Sequence, residues 1–228
     1  MSYLRKEQIG RATLYLGDCI EVIPTVGHYH SCLTDSPYGD DYRSGYATAS
    51  LWSESNIRND KDTRTRDEAL RLIGDVPTLC FGKWSKEAPQ GTRMVLIWDK
   101  GGALGMGDLR LPWKPDHEEI YVLGDPAKFV GRRDSGSVIY CPPVQSMAKN
   151  GRQHPNEKPV SLLCKLLEKL PGGTVIDPFM GSGSTLVAAT RIGRASIGIE
   201  CDPVYFEIAC KRIEDAQRQG SLFGEVAA

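Results

Sequence analysis

Four consecutive residues, Asp35, Ser36, Pro37 and Tyr38, carry side chains that suit chemistry better than packing. They follow the short apolar run 31–34, which is predicted to be a strand, and a long polar segment comes after them. Proline has no N–H with which to continue a β-ladder, so the strand is expected to end there. The result is a rigid turn that presents one acceptor and one aromatic ring. The turn alone leaves open whether it binds a ligand or only ends a strand.

A second candidate site follows the buried strand predicted at 174–176. Asp177 opens a glycine-rich turn that leads into a helix, and the next strand ends at Glu200. Glycines let the backbone approach a ligand closely, and an acid about 20 residues beyond such a turn suits ribose hydroxyls. The G-x-G-x-x-G fingerprint is absent because Leu186 follows Thr185, and the chain contains no P-loop sequence. The anionic turn favours a sulfonium cofactor over a pyrophosphate, so the pattern points to S-adenosylmethionine rather than NAD.

Composition narrows the class of protein. The chain has 228 residues, 40% of them hydrophobic and 25% charged, which fits one large domain or a domain with an insertion. The formal net charge is -1, so any nucleic-acid surface must be a local patch. Seven cysteines without a C-x-x-C pair indicate no zinc ribbon or disulfide framework and fit a reducing cytosol. We expect a cytoplasmic protein with no metal and no membrane segment, and we interpret His28 and His30 as surface histidines.

The elements needed to position the two sites follow an α/β pattern. The opening is predicted to be strand 12–16, a short helix from Cys19 capped by Asp18, and the strand before Asp35, which indicates a parallel unit. A capping box at 65–68 starts a helix that we expect to continue, broken around Pro77, as far as Trp84. A buried strand is predicted at 94–98, and further strands are predicted at 118–123 and 195–199. Further helices are predicted at 160–170, at 186–192 and from 203 to about 218.

Two polar segments lack periodicity. Residues 40–62 mix aromatic rings with cations that include Arg43, and they form either a surface loop or a flap over a site. Residues 129–150 are rich in positive charge, and they form either a solvated loop or a small insertion that touches phosphates. The basic residues of this second region and its border include Arg132, Arg133, Lys149 and Arg152.

Six segments, taken together, resemble the amino-group DNA methyltransferases. The run 177–185 resembles their cofactor motif, and 35–38 resembles their catalytic D-P-P-Y. The loop 154–159 resembles the one before their first core helix, and Gly17 with Asp18 resembles their adenine-binding acid. Segment 197–200 with Asp202, Tyr205 and Arg212 resembles their second core segment, and 117–120 resembles a late segment of their catalytic half. The catalytic half precedes the cofactor half, which is the motif order of the β group of that family.

The resemblance implies a doubly wound, mostly parallel, Rossmann-like methyltransferase fold in one domain, 1–228. It implies a catalytic half at 11–126, a target-recognition insertion at 127–153, a cofactor-binding half at 154–218 and a tail at 219–228.

The resemblance also implies a mechanism. The lone pair of an exocyclic base amine is delocalised into the ring, which makes the amine a poor nucleophile. Asp35 and the Ser36 carbonyl would accept its N–H groups, and Tyr38 would stack on a base flipped out of the duplex. Ser36 stands where the family usually has proline. The function survives in principle since the acceptor is a backbone carbonyl, although serine loses some rigidity.

The resemblance implies that the cofactor contacts are Asp18, Cys19, Asp35, Lys158, Asp177, Phe179, Gly181, Ser182, Gly183, Ser184, Thr185, Glu200, Cys201 and Asp202. DNA contacts are expected from Arg43, Arg132, Arg133, Lys149 and Arg152.

The implied activity is site-specific N6-methylation of adenine in double-stranded DNA, with S-adenosylmethionine as donor. An acid at position 35 resembles the adenine-modifying members. N4-methylation of cytosine and a DNA-binding relative without catalysis stay open as alternatives. The family implies a prokaryotic or phage protein of restriction-modification type that could form a homodimer.

Tail residues 219–223, from Gln219 through Leu222 and Phe223, resemble the peptide by which bacterial proteins bind the sliding clamp, or they pack on their own domain.

Overall fold

The computed structural model describes residues 2–37, 62–102, 110–144 and 157–224. Within these ranges the chain forms one nine-stranded sheet with strand order β1-β2-β9-β8-β3-β4-β6-β5-β7. The strands are β1 (Arg5–Ile9), β2 (Ala12–Leu16), β3 (Ser31–Thr34), β4 (Thr78–Gly82), β5 (Met94–Asp99), β6 (His117–Leu123), β7 (Val138–Tyr140), β8 (Val175–Asp177) and β9 (Ser196–Glu200).

Most strands of the sheet run in the same direction, so their carboxyl ends meet at one edge. Strands β2, β9, β8, β3 and β4 pair in parallel, so their carboxyl ends lie at the same edge, called the active edge below. Strand β6 is antiparallel to β4 and β5, and it therefore brings its amino end to that edge. The chain order of the strands reverses between β8 and β3, and such a switch point is where open α/β sheets bind ligands. The doubly wound, mostly parallel architecture predicted from the sequence is confirmed.

Helices cover both faces of the sheet. They are α1 (Cys19–Val22), α2 (Arg64–Ile73), α3 (Val160–Leu167), α4 (Ser184–Arg191) and α5 (Pro203–Gly224). Successive side chains of a strand point to opposite faces. Accordingly Cys32 packs in the cluster with α1 and α2, whereas the next residue, Leu33, packs against α3 and α4. No helix in the described ranges is both long enough and apolar enough to cross a membrane.

The helix predicted to continue to Trp84 is wrong beyond residue 73. Helix α2 ends at Ile73, Gly74 follows with a φ of 75°, and residues Thr78–Gly82 form β4. All five residues of β4 are buried because the strand lies between β3 and β6, with Phe81 in the core cluster below α3. Since both faces of this strand are covered, its short apolar run carries no alternation that would separate a strand from a helix.

Sheet edges and the last helix also differ from the expectation. Strand β1 was not predicted because its sequence is charged, which is typical of an edge strand. Strand β5 was predicted to be buried, but Met94 and Val95 are 50% and 38% exposed, since the neighbouring β7 pairs only with its last three residues. Helix α5 continues through Gly224 rather than ending near Arg218, so the backbone of 219–223 is helical.

Arg194 braces the edge opposite to the active edge. Its guanidinium donates to Ser31 Oγ at the start of β3 (2.6 Å), to the Leu167 carbonyl at the end of α3 (3.1 Å) and to the Gly173 carbonyl before β8 (2.8 Å). It also donates to the Pro171 carbonyl. One side chain therefore ties together the amino ends of the two strands that flank the switch point.

Candidate active site

The acids predicted from the sequence converge along the active edge. Asp18 follows β2, Glu200 ends β9, Asp177 ends β8, and Asp35 follows β3. Because these four strands are neighbours in the sheet, positions far apart in the chain form one row. The hydrogen bond from Thr34 Oγ1 to Asp177 Oδ1 (2.7 Å) crosses the switch point and links the two central strands.

Asp177 is buried beside this link. Its carboxylate also accepts from the Phe179 N–H (3.1 Å) and from the side chain of Thr185. Burial raises the pKa of Asp177 to about 6, against the effect of these hydrogen bonds, and the nearby Asp35 adds to the rise. An acid at this position makes the turn suitable for a cationic ligand group and unsuitable for a phosphate.

Glu200 holds the glycine-rich turn in place. Its two carboxylate oxygens accept from the Gly181 N–H (2.9 Å) and from the Asp202 N–H (2.8 Å). Burial raises the pKa of Glu200. Each carboxylate oxygen has two lone pairs, so the group can still accept hydroxyl protons of a ribose. Gly183 has a φ of 82°, and a Cβ there would lie 3.0 Å from the Cβ of Ala209, so the turn requires glycine at this position.

Asp18 lies next to Glu200 because the Gly17 N–H donates to the Glu200 carbonyl (2.9 Å). The carboxylate of Asp18 is exposed and caps α1 by accepting from the Ile20 N–H (2.8 Å). Burial, followed by the charge of Asp18, raises the pKa of Cys19 to about 12, so this thiol stays protonated. Asp18 and Glu200 together offer acceptors for an adenine amino group and for ribose hydroxyls, which fits a nucleoside.

The remaining predicted cofactor residues lie on the same turns. Ser182 accepts from Arg212 at its carbonyl (2.8 Å) and at its hydroxyl (2.7 Å), and Ser184 Oγ accepts from the same guanidinium (3.2 Å). Asp202 caps α5 by accepting from the Val204 N–H (2.7 Å), and Cys201 lies between Glu200 and this cap. Their contacts in the protein are therefore structural, and their contact with a cofactor stays a prediction.

Lys158 contacts Asp35, the predicted catalytic residue. Its Nζ lies 2.6 Å from Asp35 Oδ2 and 3.2 Å from Glu118 Oε2, and it stands 5.0 Å from the centre of the Phe81 ring. The side chain is only 4% exposed. Burial alone would lower the pKa of Lys158, but the two carboxylates outweigh it and the net shift is upward. The structure thus places this residue with Asp35, and its predicted contact with the cofactor stays a prediction.

Glu118 is the site residue that the sequence did not single out. Lys100 Nζ lies 2.6 Å from its Oε1, so the carboxylate stands between two lysines. Burial raises the pKa of Glu118, but Lys158 and Lys100 reverse this effect and the net shift is downward. The segment 117–120 was noticed only as a resemblance. Nothing in the sequence indicated that β6 runs antiparallel and brings its first residues to the active edge.

The rest of the predicted catalytic turn is described only in part. Ser36 is buried, and its Oγ lies 3.5 Å from Cys80 Sγ, so the turn packs against β4. Pro37 follows in the described range, and Tyr38 lies outside it.

Two of the five predicted DNA contacts lie within the described residues. Arg132 and Arg133 are exposed, and the Arg132 carbonyl accepts from Lys169 Nζ (2.8 Å) in the segment that leads into β8. They therefore lie at the amino edge of the sheet, opposite to Asp35. Arg43, Lys149 and Arg152 lie outside the described residues. Two tryptophans at the active edge are exposed instead, Trp84 after β4 (72%) and Trp113 before β6 (78%).

No group of three or more potential metal ligands occurs among the described residues. His28 and His30 lie edge to face with ring centres 4.7 Å apart, and His30 Nδ1 accepts from the Thr174 N–H (3.1 Å). These histidines belong to the amino edge, where His30 has a structural hydrogen bond.

We expect Asp177→Asn to change how stability depends on pH. A folded pKa near 6 lies above the ordinary value of 3.8, so protonated Asp177 stabilises the fold below pH 4, and this contribution is lost as the pH rises through 6. The unfolding free energy of the wild type, relative to the variant, should fall over this interval by up to about 1.4 kcal/mol per pH unit. Urea denaturation from pH 3.5 to 7.5 measures it. A constant difference would contradict a raised pKa.

The strand order, the switch point and the row of acids define the class of Rossmann-like methyltransferase folds. A solved structure of PvuII DNA methyltransferase, named as cytosine-N4-specific, matches with a TM-score of 0.65 and 14% identity over 95% of each chain. The M1.HpyAVI–SAM complex matches with a TM-score of 0.60 and 20% identity over 88% of this chain and 99% of that one. At these identities the likeness concerns the fold.

Sequence comparisons are more specific. Residues 58–211, more than half of the chain, match the DNA methylase family of N6 and N4 enzymes. YubD of Escherichia coli strain K12, described as a candidate methylase, is 48% identical over 223 residues, covering 89% of this chain and 90% of that protein. The type II methyltransferase M2.DpnII of Streptococcus pneumoniae is 44% identical over 73 residues, 31% of this chain and 27% of that protein. The chain belongs to the DNA methylase family, whose members are S-adenosylmethionine-dependent enzymes.

Proposed function

We propose that this protein methylates the 6-amino nitrogen of adenine at a specific site in double-stranded DNA, with S-adenosylmethionine as donor. The observation that carries the proposal is the juxtaposition of Asp35 and the Asp177 turn at the switch point, joined by the Thr34–Asp177 hydrogen bond. A polar acceptor for the base and a turn for the methyl donor thereby lie side by side at the active edge.

The donor site fits the residues present. Asp18 and Glu200 would hold the nucleoside, while Asp177 and the turn Gly181–Gly183 would lie along the methionine part. When bound, S-adenosylmethionine supplies a methyl group on a positively charged sulfur. The carboxylate of Asp177 and the absence of a phosphate-binding sequence suit that charge.

The chain is proposed to act on the base by accepting hydrogen bonds from its amino group. Asp35 is half-buried, with 26% of its side chain exposed, so it remains accessible from the active edge. Its carboxylate and the Ser36 carbonyl would each accept one N–H of the amine, which directs the nitrogen lone pair toward the methyl group. Most of the rate enhancement then comes from positioning and electrostatics.

The base must leave the duplex to reach Asp35. We propose that Tyr38 stacks on it and that Trp84 and Trp113 widen the aromatic surface around the entrance, since stacking contributes about 1–3 kcal/mol per base. Within 127–153, residues Val138–Tyr140 form a strand of the sheet and Arg132 lies at the far edge. We propose that target recognition lies in the insertion 127–153, which also includes Lys149 and Arg152.

Adenine is proposed over cytosine because the catalytic turn begins with Asp35. Sequencing that detects modified bases, applied to DNA from a host that expresses the protein, tests this choice and gives the site. N6-methyladenine in one sequence context is the expected result. N4-methylcytosine would replace the assignment by the second activity, and unmodified DNA together with DNA binding would indicate a relative without catalysis.

We further propose a cytoplasmic protein of a prokaryote or a phage that acts in restriction-modification. A homodimer would enlarge the DNA surface. Size-exclusion chromatography with light scattering, with and without duplex DNA, tests the dimer, and a single protomer mass in both conditions would reject it.

The tail is proposed to bind a bacterial sliding clamp through residues 219–223. We expect the double variant Leu222→Ala, Phe223→Ala to weaken that binding at least tenfold, because the two side chains supply the apolar contacts of the motif. Surface plasmon resonance on immobilised clamp measures it, with Glu225→Ala as the control that keeps both apolar residues. Absence of binding by the wild type would reject the proposal.

A further inference from the structure

We propose that Lys158 and Glu118 form a positioning pair for the reaction, in which Lys158 fixes the carboxylate of Asp35 and keeps it ionised. This inference rests on the proposed function. It gives Lys158 a role toward the base rather than toward the donor, and it adds Glu118 as a residue on which the reaction depends.

The geometry favours an anchor over a mobile contact. Lys158 Nζ contacts Asp35 Oδ2 at 2.6 Å and Glu118 Oε2 at 3.2 Å, so two carboxylates on different strands hold one ammonium group. Phe81 lies beneath it, and the lysine is almost fully buried. A lysine held from three sides loses the freedom to move toward another ligand.

Charge gives the pair its second task. Asp35 is faced by Asp177 from β8, whose carboxylate disfavours a second negative charge, and by the protonated thiol of Cys80 from β4. Among the described residues, Lys158 brings a positive charge into contact with Asp35 and shares it with Glu118. The ionised form of Asp35 suits the base amine better, because protonation turns one carboxylate oxygen into a donor and leaves only a neutral, weaker acceptor. A carboxylate has about four acceptor positions, so the bond from Lys158 leaves capacity for the base.

Glu118 completes the arrangement from the other side. Its Oε1 is bound by Lys100, and its Oε2 faces Lys158, so a chain of alternating charges joins β5 and β6 to the catalytic turn. Without Glu118, the ammonium group of Lys158 would lose one of the two carboxylates that fix it. The position of Asp35 would then depend on a less constrained partner.

The test is the pH dependence of single-turnover methylation, measured from pH 5 to 9 on a duplex that contains the target. We expect Lys158→Met to lower the neutral-pH rate about 10²-fold and to move the acidic limb upward by at least about one pH unit, since an adjacent opposite charge lowers a carboxyl pKa by about 1–3 units. Lys158→Arg should return the acidic limb of the pH–rate profile most of the way to its wild-type position. Glu118→Gln should lower the rate about tenfold through looser positioning.

Calorimetric titration with S-adenosylmethionine separates this role from a donor contact. We expect the dissociation constant of Lys158→Met to stay within about threefold of the wild type, whereas a contact with the donor carboxylate would weaken it more than tenfold. If Lys158→Met lowered the methylation rate without shifting the acidic limb of the pH–rate profile, Lys158 would have only a structural role and the proposal would be overturned. Should Lys158→Met lack a cooperative thermal transition, Lys158→Gln carries the same test.

Carboxyl ¹³C NMR of aspartate-labelled protein gives a readout that needs no activity, with the Asp35 resonance assigned through Asp35→Asn. The apparent pKa of Asp35 should rise in Lys158→Met, and an unchanged value would overturn the inference. If the wild type methylates no DNA, the proposed function fails, and the NMR titration still decides whether Lys158 controls Asp35.

Discussion

Replacing Asp35 with alanine is expected to lower the single-turnover rate of methyl transfer by at least about 10²–10³-fold, the loss typical of removing one oriented hydrogen-bonding group. The reason is that Asp35 would accept a hydrogen bond from the base amine at the switch point. Affinity for S-adenosylmethionine should stay within about threefold, since the acids assigned to the nucleoside lie at the ends of β2 and β9.

Rapid-quench assays with labelled donor measure the rate, and calorimetry measures the affinity. Asp35→Asn should lose most of the activity as well, because it keeps the shape and removes the charge. Asp134→Ala removes an exposed carboxylate that pairs with Lys169 at the amino edge, and it should leave the rate within about twofold of the wild type. Activity of Asp35→Ala equal to that of the wild type would refute the proposed mechanism.

Glu200→Ala is expected to weaken binding of S-adenosylmethionine by about 10²-fold or more. Hydrogen bonds to a charged group contribute about 1.5–3 kcal/mol each, and Glu200 would accept from ribose hydroxyls while it also holds the Gly181 and Asp202 N–H groups. The variant therefore loses ligand contacts and the anchor of the turn together.

Isothermal titration calorimetry on folded variants tests this expectation. Glu200→Gln keeps one acceptor oxygen and should lie between the alanine variant and the wild type. Glu214→Ala removes an exposed acid of α5 and should bind the donor normally. An affinity of Glu200→Ala within threefold of the wild type would remove Glu200 from the donor site.

Four acids of the site could be predicted from the sequence because each stands at the carboxyl end of a parallel strand. Asp35, Asp177 and Glu200 each follow a short apolar run, and parallel strands place such ends at one edge. Glu118 was not predicted as a site residue because it stands at the beginning of a strand, and local sequence patterns do not give the direction of a strand in the sheet. Its partnership with Lys158 joins residues 40 positions apart through β6.

The missed strand β4 and the position of Arg132 and Arg133 at the amino edge illustrate the same limit of local sequence patterns. Residues Thr78–Gly82 are buried on both faces, and only their neighbours β3 and β6 distinguish them from a helix segment. In the same way, positive charge at Arg132 and Arg133 predicts exposure correctly, but the edge at which they lie follows from the course of the chain after β6. Tertiary neighbours therefore decided what local patterns left open.

The two ends of the central strand pair are fastened independently, by Arg194 at one edge and by the Thr34–Asp177 hydrogen bond at the other. The protein groups assigned to base and donor are thus held relative to each other before either ligand binds, which lowers the ordering cost of binding. Adaptation to different DNA sequences can then reside in peripheral segments without altering the separation of the two reacting groups. Exchanging a recognition segment between relatives should consequently change the site that is read while preserving the reaction.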